Sequence, residues 1–259
     1  MKTIPSSRIH RCVAIISVFV ITLVLIAGTV GCGGGLEGEA VTFADPNLEA
    51  AVREAIAIPE GPIYPSGLDR LTSLNATAES ISDLTGLEHA ISLTDLDLRW
   101  NEISDISPLA NLTSLTGLQL RDNQISDISP LANLTSLTDL DLWPNQISDI
   151  SPLANLTSLI DLLLSSNQIS DMSPLANLTS LTDLYLGGNQ ISDISPLANF
   201  INLAYLDLHG NQISDISPLV QNVGLAEGDH VFLGENPLNS DSINIHMPQL
   251  QARGVNLLY

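Results

Sequence analysis

One 22-residue sentence is written again and again along most of this chain, and no other feature limits the fold so strongly. At 115–136 it reads LTGLQLRDNQISDISPLANLTS. Units begin at Leu71, Leu93, Leu115, Leu137, Leu159, Leu181 and Leu203, each 22 residues after the last, and a distorted eighth begins at Leu225. A unit this short cannot bury its apolar face alone. Its leucines leave water only by stacking on the next unit, so the period dictates a solenoid.

Units two to seven fill the template LxxLxLxxNxI, as with Leu96, Leu98, Asn101 and Ile103 in the second and Leu140, Leu142, Asn145 and Ile147 in the fourth. The LxLxx part alternates with period two and predicts a short strand with its leucines on one side. Stacked units then form a parallel sheet along an inner face, with the leucines buried behind it. An asparagine ladder (Asn101, Asn123, Asn145, Asn167, Asn189, Asn211, Asn236) follows the strands, where an amide can satisfy turn backbone groups that lack a ladder partner. A second ladder runs through Asp83, Asp105, Asp127, Asp149, Asp171, Asp193 and Asp215, and from Asp105 onward each precedes a Ser–Pro pair suited to starting a short helical turn on the outer face. Its spacing differs from that of glycine-rich calcium repeats, so it reads as turn chemistry.

The template, its length and the continuation IxDIxPLxxLTxL resemble the leucine-rich repeat, and specifically the internalin subfamily of bacterial surface proteins. The resemblance spans about residues 43 to 259. It implies an α/β repeat solenoid, a horseshoe with a parallel sheet on its concave face, closed by a helical N-terminal cap and a helix-plus-strand C-terminal cap.

The ends of the chain read as follows. Residues 1–31 have the form of a signal peptide: basic Lys2, Arg8 and Arg11, an apolar run from Val13 to Val30, then TVGCGGG. Thr29 to Cys32 resembles a bacterial lipobox, which makes Cys32 the expected lipid attachment site; an uncleaved helical anchor is the alternative. Either reading places the rest outside the cytoplasm, tethered to a membrane. Residues 32–40 form a flexible tether of roughly 15 Å. In the cap at 41–70, Asp45 and Pro46 are expected to start an amphipathic helix ending near Ala57. The repeats occupy 71–238. In the cap at 239–259, Ser240 or Asp241 is expected to start a helix that Pro248 kinks and Gly254 closes, before a last strand in VNLLY.

Charge narrows the function. Beyond the leader there are five arginines and no lysine against 29 acidic residues, a balance of −24. Such a surface repels nucleic acid and anionic headgroups and favours cationic partners or divalent ions. Both cysteines, Cys12 and Cys32, precede the repeats, so the folded part holds no disulfide or thiolate site.

Function is expected at the template's variable third, fifth, seventh and eighth positions, which face away from the leucines. About eight strands near 4.8 Å apart make that face on the order of 35 Å long. The candidate partner-binding residues are Asp95, Asp97, Arg99, Trp100, Gln119, Arg121, Asp139, Asp141, Trp143, Asp161, Asp183, Tyr185, Tyr205, Asp207, His209 and Phe232. They include both tryptophans and two of the four tyrosines of an aromatic-poor chain. Aromatics amid charge are the composition of protein-binding hot spots. Asp139, Asp161 and Asp183 recur on neighbouring strands, where like charges repel and a cation would be welcome: a basic partner side chain or Ca²⁺.

An enzyme is not expected. The histidines have no metal-ligand spacing, no nucleophile or phosphate motif occurs, and an open face gives no reason for a raised carboxyl pKa. No cofactor is implied. The reading is a monomeric binding module for a protein with a basic surface, in adhesion or surface assembly. The alternative is a polysaccharide-binding or structural spacer.

Overall fold

A computed structural model describes residues 38–259. Nine three-residue strands form one parallel sheet in chain order: β1 Ser73–Asn75, β2 Asp95–Asp97, β3 Gly117–Gln119, β4 Asp139–Asp141, β5 Asp161–Leu163, β6 Asp183–Tyr185, β7 Tyr205–Asp207, β8 His230–Phe232 and β9 Asn256–Leu258. From β1 to β7 the register is the repeat itself. Leu74 pairs with Leu96, then Leu118, Leu140, Leu162, Leu184 and Leu206. These central leucines are buried, and their strand neighbours point to the concave face.

The outer face is built from 3-10 turns, and the spacing of apolar residues says why. Ile106, Leu109, Leu112 and Leu115 lie three apart, all buried, and the N–H of each of the last three donates to the carbonyl three residues earlier at 3.0 Å. A three-residue turn keeps such a row on one line, which an α-helix of 3.6 residues per turn would not. The aspartate ladder starts these turns. Asp105, Asp127, Asp149, Asp171, Asp193 and Asp215 each accept the N–H of the serine two residues on at 2.8 Å. These bonds hold the carboxyls of Asp127, Asp149, Asp171 and Asp215 below the ordinary range.

The asparagine ladder joins units rather than only closing turns. Asn167 accepts from Ile147 N at 3.0 Å in the preceding unit and donates to Leu142 O and to its own unit's Leu164 O, both at 3.1 Å. The same set recurs from Asn101 to Asn236.

The first helix, Pro46–Ile56, covers the first unit with Leu48 and Val52. Asp45 caps it, accepting from Asn47 N at 2.8 Å, while its other oxygen accepts Ser82 N at 2.8 Å and ties the helix to the array. Burial raises the Asp45 pKa, but these hydrogen bonds outweigh it and the net shift is downward. Past β7 the period slips: Leu206 pairs with Val231, 25 residues on rather than 22. Asn222 stands where units two to six carry Leu or Phe, and it interrupts the apolar row by donating to Leu197 O and Phe200 O at 2.8 and 2.9 Å.

The C-terminal helix differs from expectation at its start. Neither Ser240 nor Asp241 caps it; Asn239 does, accepting Ser242 N at 2.8 Å. A π-turn over Ser242–His246 leads into an α-helix over Met247–Ala252. The wider turn accommodates Pro248, whose ring has no N–H to bond back and would crowd the carbonyl four residues earlier. Gly254 closes the helix with φ +87°.

Candidate partner-binding face

The eighth template position leaves the strand in the left-handed region in seven units: Ala78, Trp100, Asp122, Ser166, Gly188, Gly210 and Glu235 all have positive φ. This turns its N–H towards the next unit, as in Trp100 N to Arg121 O at 2.9 Å and Ser166 N to Gly187 O at 2.8 Å. The fourth unit has Pro144 there, which can neither adopt that φ nor donate. A side chain bridges the units instead: Trp143 Nε1 donates to Ser166 Oγ at 3.1 Å. Trp100 is the bulkiest residue in the left-handed set, a conformation costing roughly 1–2 kcal/mol, and it stays 49% exposed.

The sequence-predicted residues fall into three groups. In the first, Arg99 pairs with Asp97 at 2.6 Å and sits 5.4 Å from the Trp100 ring centre. Arg121 pairs with Asp122 at 3.1 Å and lies over Trp143 at 3.9 Å, with Trp100 at 5.9 Å. Asp141 departs from its expected role. It is only 5% exposed, beneath the surface, and accepts Trp143 N at 3.0 Å. Burial pushes its pKa up, and that hydrogen bond with Arg121 and Arg99 offsets only part of the rise. Asp141 therefore holds the backbone of Trp143 from below the surface. Asp95 lies apart near the start of the sheet, bonded by Thr94 Oγ1 at 2.7 Å.

In the second group, β4, β5 and β6 bring Asp139, Asp161 and Asp183 into register. Gln119 borders them in a concavity of about 360 Å³. Asp139 and Asp183 accept the hydroxyls of Thr138 and Thr182 at 2.6 and 2.7 Å. Asp161 has no such hydroxyl, because the equivalent residue is Ile160. Its pKa is raised to about 6, by burial, by the shared hydrogen bond to Asp139 and by the charge on Asp183. This corrects the expectation that an open face gives no cause for a raised carboxyl pKa: parallel register packs acids closely enough. Among the described residues no cluster of three His, Cys, Asp or Glu side chains could hold a metal ion.

The raised value has a testable sign. Below pH 3.8 Asp161 is protonated in both folded and unfolded chains; above about 6 it is ionised in both, and the folded form bears the cost. Asp161→Asn is therefore expected to stabilise the fold at pH 7 by about 1 kcal/mol after solvent screening, or roughly 2–4 °C in Tm. Most of that gain should vanish by pH 4.5. Thermal melts at both pH values check this, and an equal shift at both would refute the account.

In the third group, Tyr185 stacks on Tyr205 with ring centres 4.7 Å apart, and Tyr205 meets Phe232 at 4.9 Å. His209 bonds Asp207 at 2.8 Å and lies where a Gly187 side chain would be. Between Trp143 and His209 opens a cleft of about 390 Å³, with Leu163, Ser165, Ser166, Tyr185 and Asp207 in its lining. The serines and Gly187 were not among the expected site residues. Their signal was nonetheless present: units five and six carry Ser-Ser and Gly-Gly where units two to four carry Arg-Trp, Arg-Asp and Trp-Pro.

The family model for leucine-rich repeats in two copies matches residues 91–133, 113–155, 157–199 and 179–221. A crystal structure of internalin C2 from Listeria monocytogenes is 36% identical with a TM-score of 0.71, over 84% of this chain and 92% of that one. The chain belongs to the internalin-like bacterial leucine-rich repeat proteins. A second L. monocytogenes internalin is 33% identical with a TM-score of 0.66, over 83% of this internalin-like chain and 68% of its own. A leucine-rich repeat protein of Leptospira interrogans shares the fold at 23% identity and a TM-score of 0.64, over 74% of this chain and 50% of that one. No curated protein matches the chain. The internalin-like repeat is typically a non-enzymatic scaffold for protein interaction, and no catalytic family matches it.

Proposed function

We propose that this chain is an extracytoplasmic, membrane-tethered adhesion or surface-assembly module that binds a protein with a basic surface through its concave face. One observation carries the reading: aromatic rings and charged groups concentrate on the variable positions of the sheet. Trp100, Trp143, Tyr185, Tyr205 and Phe232 all lie there, two of the five within cation–π range of an arginine. Scaffold demands explain the leucines and asparagines but not these residues, and aromatic anchors beside charge suit a protein interface.

Replacing Trp100, Trp143 and Tyr185 together by Ala is expected to reduce capture of the protein partner on intact cells by about 100-fold or more, with a largely unchanged far-UV spectrum. Unchanged capture would sink the binding face, and capture of polysaccharide instead of protein would favour the spacer reading. Added salt should weaken the protein interaction.

Among the described residues no helix is long and apolar enough to cross a membrane. The tether therefore rests on the leader and Cys32, which lie outside the described residues. Cys32→Ser should abolish incorporation of labelled fatty acid and alter membrane retention; unaltered labelling would exclude Cys32 as the acylated residue.

A further inference from the structure

The cleft between Trp143 and His209 is more specific than the face around it. It exists because three neighbouring units differ. Trp143 reaches forward to Ser166. His209 leans back over Gly187, where any Cβ would overlap its ring and lie 2.9 Å from Asp207 Oδ2. The small residues of units five and six leave the space between them open.

Two polar atoms at this cleft, Ser165 Oγ and Asp207 Oδ2, have no hydrogen-bond partner among the described residues. Ser165 is 7% exposed and lines the cleft, yet among the described residues no hydrogen bond involves its hydroxyl. Asp207 uses Oδ1 for both His209 N and His209 Nδ1, at 3.0 and 2.8 Å, and leaves Oδ2 free. The free carboxylate oxygen favours a ligand that donates hydrogen bonds, and the serine hydroxyl, open to the cleft, can accept one beside it.

Charge complementarity selects the donor. The arginines of the face are already matched, Arg99 by Asp97 and Arg121 by Asp122. Asp139, Asp161 and Asp183 have no cationic partner among the described residues, and their concavity meets the cleft at Leu163 and Tyr185. The chain also displays the stacking such a ligand would use, with the Arg121 guanidinium 3.9 Å from the Trp143 ring centre. A planar cation with several fixed donors fits aromatic walls, a carboxylate and a hydroxyl better than a compact ammonium does.

We propose that this cleft receives an arginine side chain of the protein partner, its stem along Leu163 and Tyr185 and its guanidinium held by Asp207 Oδ2 and Ser165 Oγ. The three unpaired aspartates draw the surrounding basic segment onto the face. The inference rests on the binding-face reading above and specifies the chemistry that the face recognises.

The test titrates the full chain, carrying Trp100→Phe so that Trp143 is the one tryptophan and is excited selectively at the red edge, with three blocked tripeptides: Gly-Arg-Gly, Gly-Lys-Gly and Gly-citrulline-Gly. The arginine peptide should change Trp143 emission saturably. The lysine peptide should bind at least about threefold more weakly, and the neutral citrulline isostere should give no saturable change. Ser165→Ala should weaken arginine binding by about fivefold or more. Gly187→Ala, which displaces His209, should weaken it at least as much. Equal binding of arginine and citrulline, indifference to both substitutions, or saturable binding of a glucose oligomer in place of arginine would overturn the proposal. If Ser165→Leu leaves cell-surface capture intact while the triple aromatic variant abolishes it, the binding face stands and the arginine site falls.

Discussion

Asn167→Ala is expected to destabilise the array by about 3–5 kcal/mol, because it strands several buried backbone groups at once. Asn167 is 8% exposed, and its amide serves Ile147 N, Leu142 O and Leu164 O. Alanine supplies neither donor nor acceptor, and little water reaches the turn. The Ile147 and Leu142 bonds also join units four and five, which lack the backbone bond that Pro144 cannot make. Denaturant melts should show a clear fall in midpoint, while exposed Asn155→Ala should cost less than about 0.5 kcal/mol. Equal effects of the two substitutions would mean that the ladder is not structural.

A single methyl group at Gly224 should do comparable damage. A Cβ there would overlap the backbone O, Cα and C of Ile201 in the preceding unit. Gly224 does not have positive φ, so the constraint is contact and not conformation. Backbone cannot swing aside like the end of a side chain, and Gly224 is further held by its N–H to Asn222 Oδ1 at 2.7 Å. Gly224→Ala is expected to cost about 3 kcal/mol or more, roughly 6–12 °C in Tm. Gly234→Ala is the control, since a Cβ there meets nothing within 4 Å. A Tm for Gly224→Ala within a degree or two of that control would show that the junction yields.

These substitutions differ in how far the sequence foretold them. The asparagine ladder was legible because it recurs with the leucines, and recurrence at one position of every unit marks a scaffold role. What the amide bonds was only half legible: the turn was anticipated, the bridge to the preceding unit was not. The slip after β7 was visible as three extra residues, but nothing in the letters around Gly224 revealed that Ile201's backbone lies against it. Likewise Ser-Pro suggested a short helical turn, while the row at Ile106, Leu109, Leu112 and Leu115 and its hydrogen bonds made it 3-10.

The concave face divides the same way. Which residues occupy it followed from period two on a strand, and the candidate aspartates and the aromatics other than Trp100 do flank buried leucines. Their individual states did not follow. Asp141 and Asp97 hold the same template position, yet Asp141 is buried, accepting the backbone N–H of Trp143, while Asp97 pairs with Arg99. Asp161, in register between Asp139 and Asp183 and preceded by Ile160 where its neighbours have a threonine, has its pKa raised by burial and by those two carboxyls.

The sequence by itself determined the solenoid, the order of the strands and their register, because in a stacked repeat each residue's neighbour is its own counterpart one unit away. The tertiary structure alone decided which side chains lean forward and which lean back. Those directions depend on what the adjacent units leave vacant: Pro144 removes a backbone bond that Trp143 replaces, and Gly187 makes room for His209. The cleft between them is a property of three units together, and a pattern read one unit at a time does not contain it.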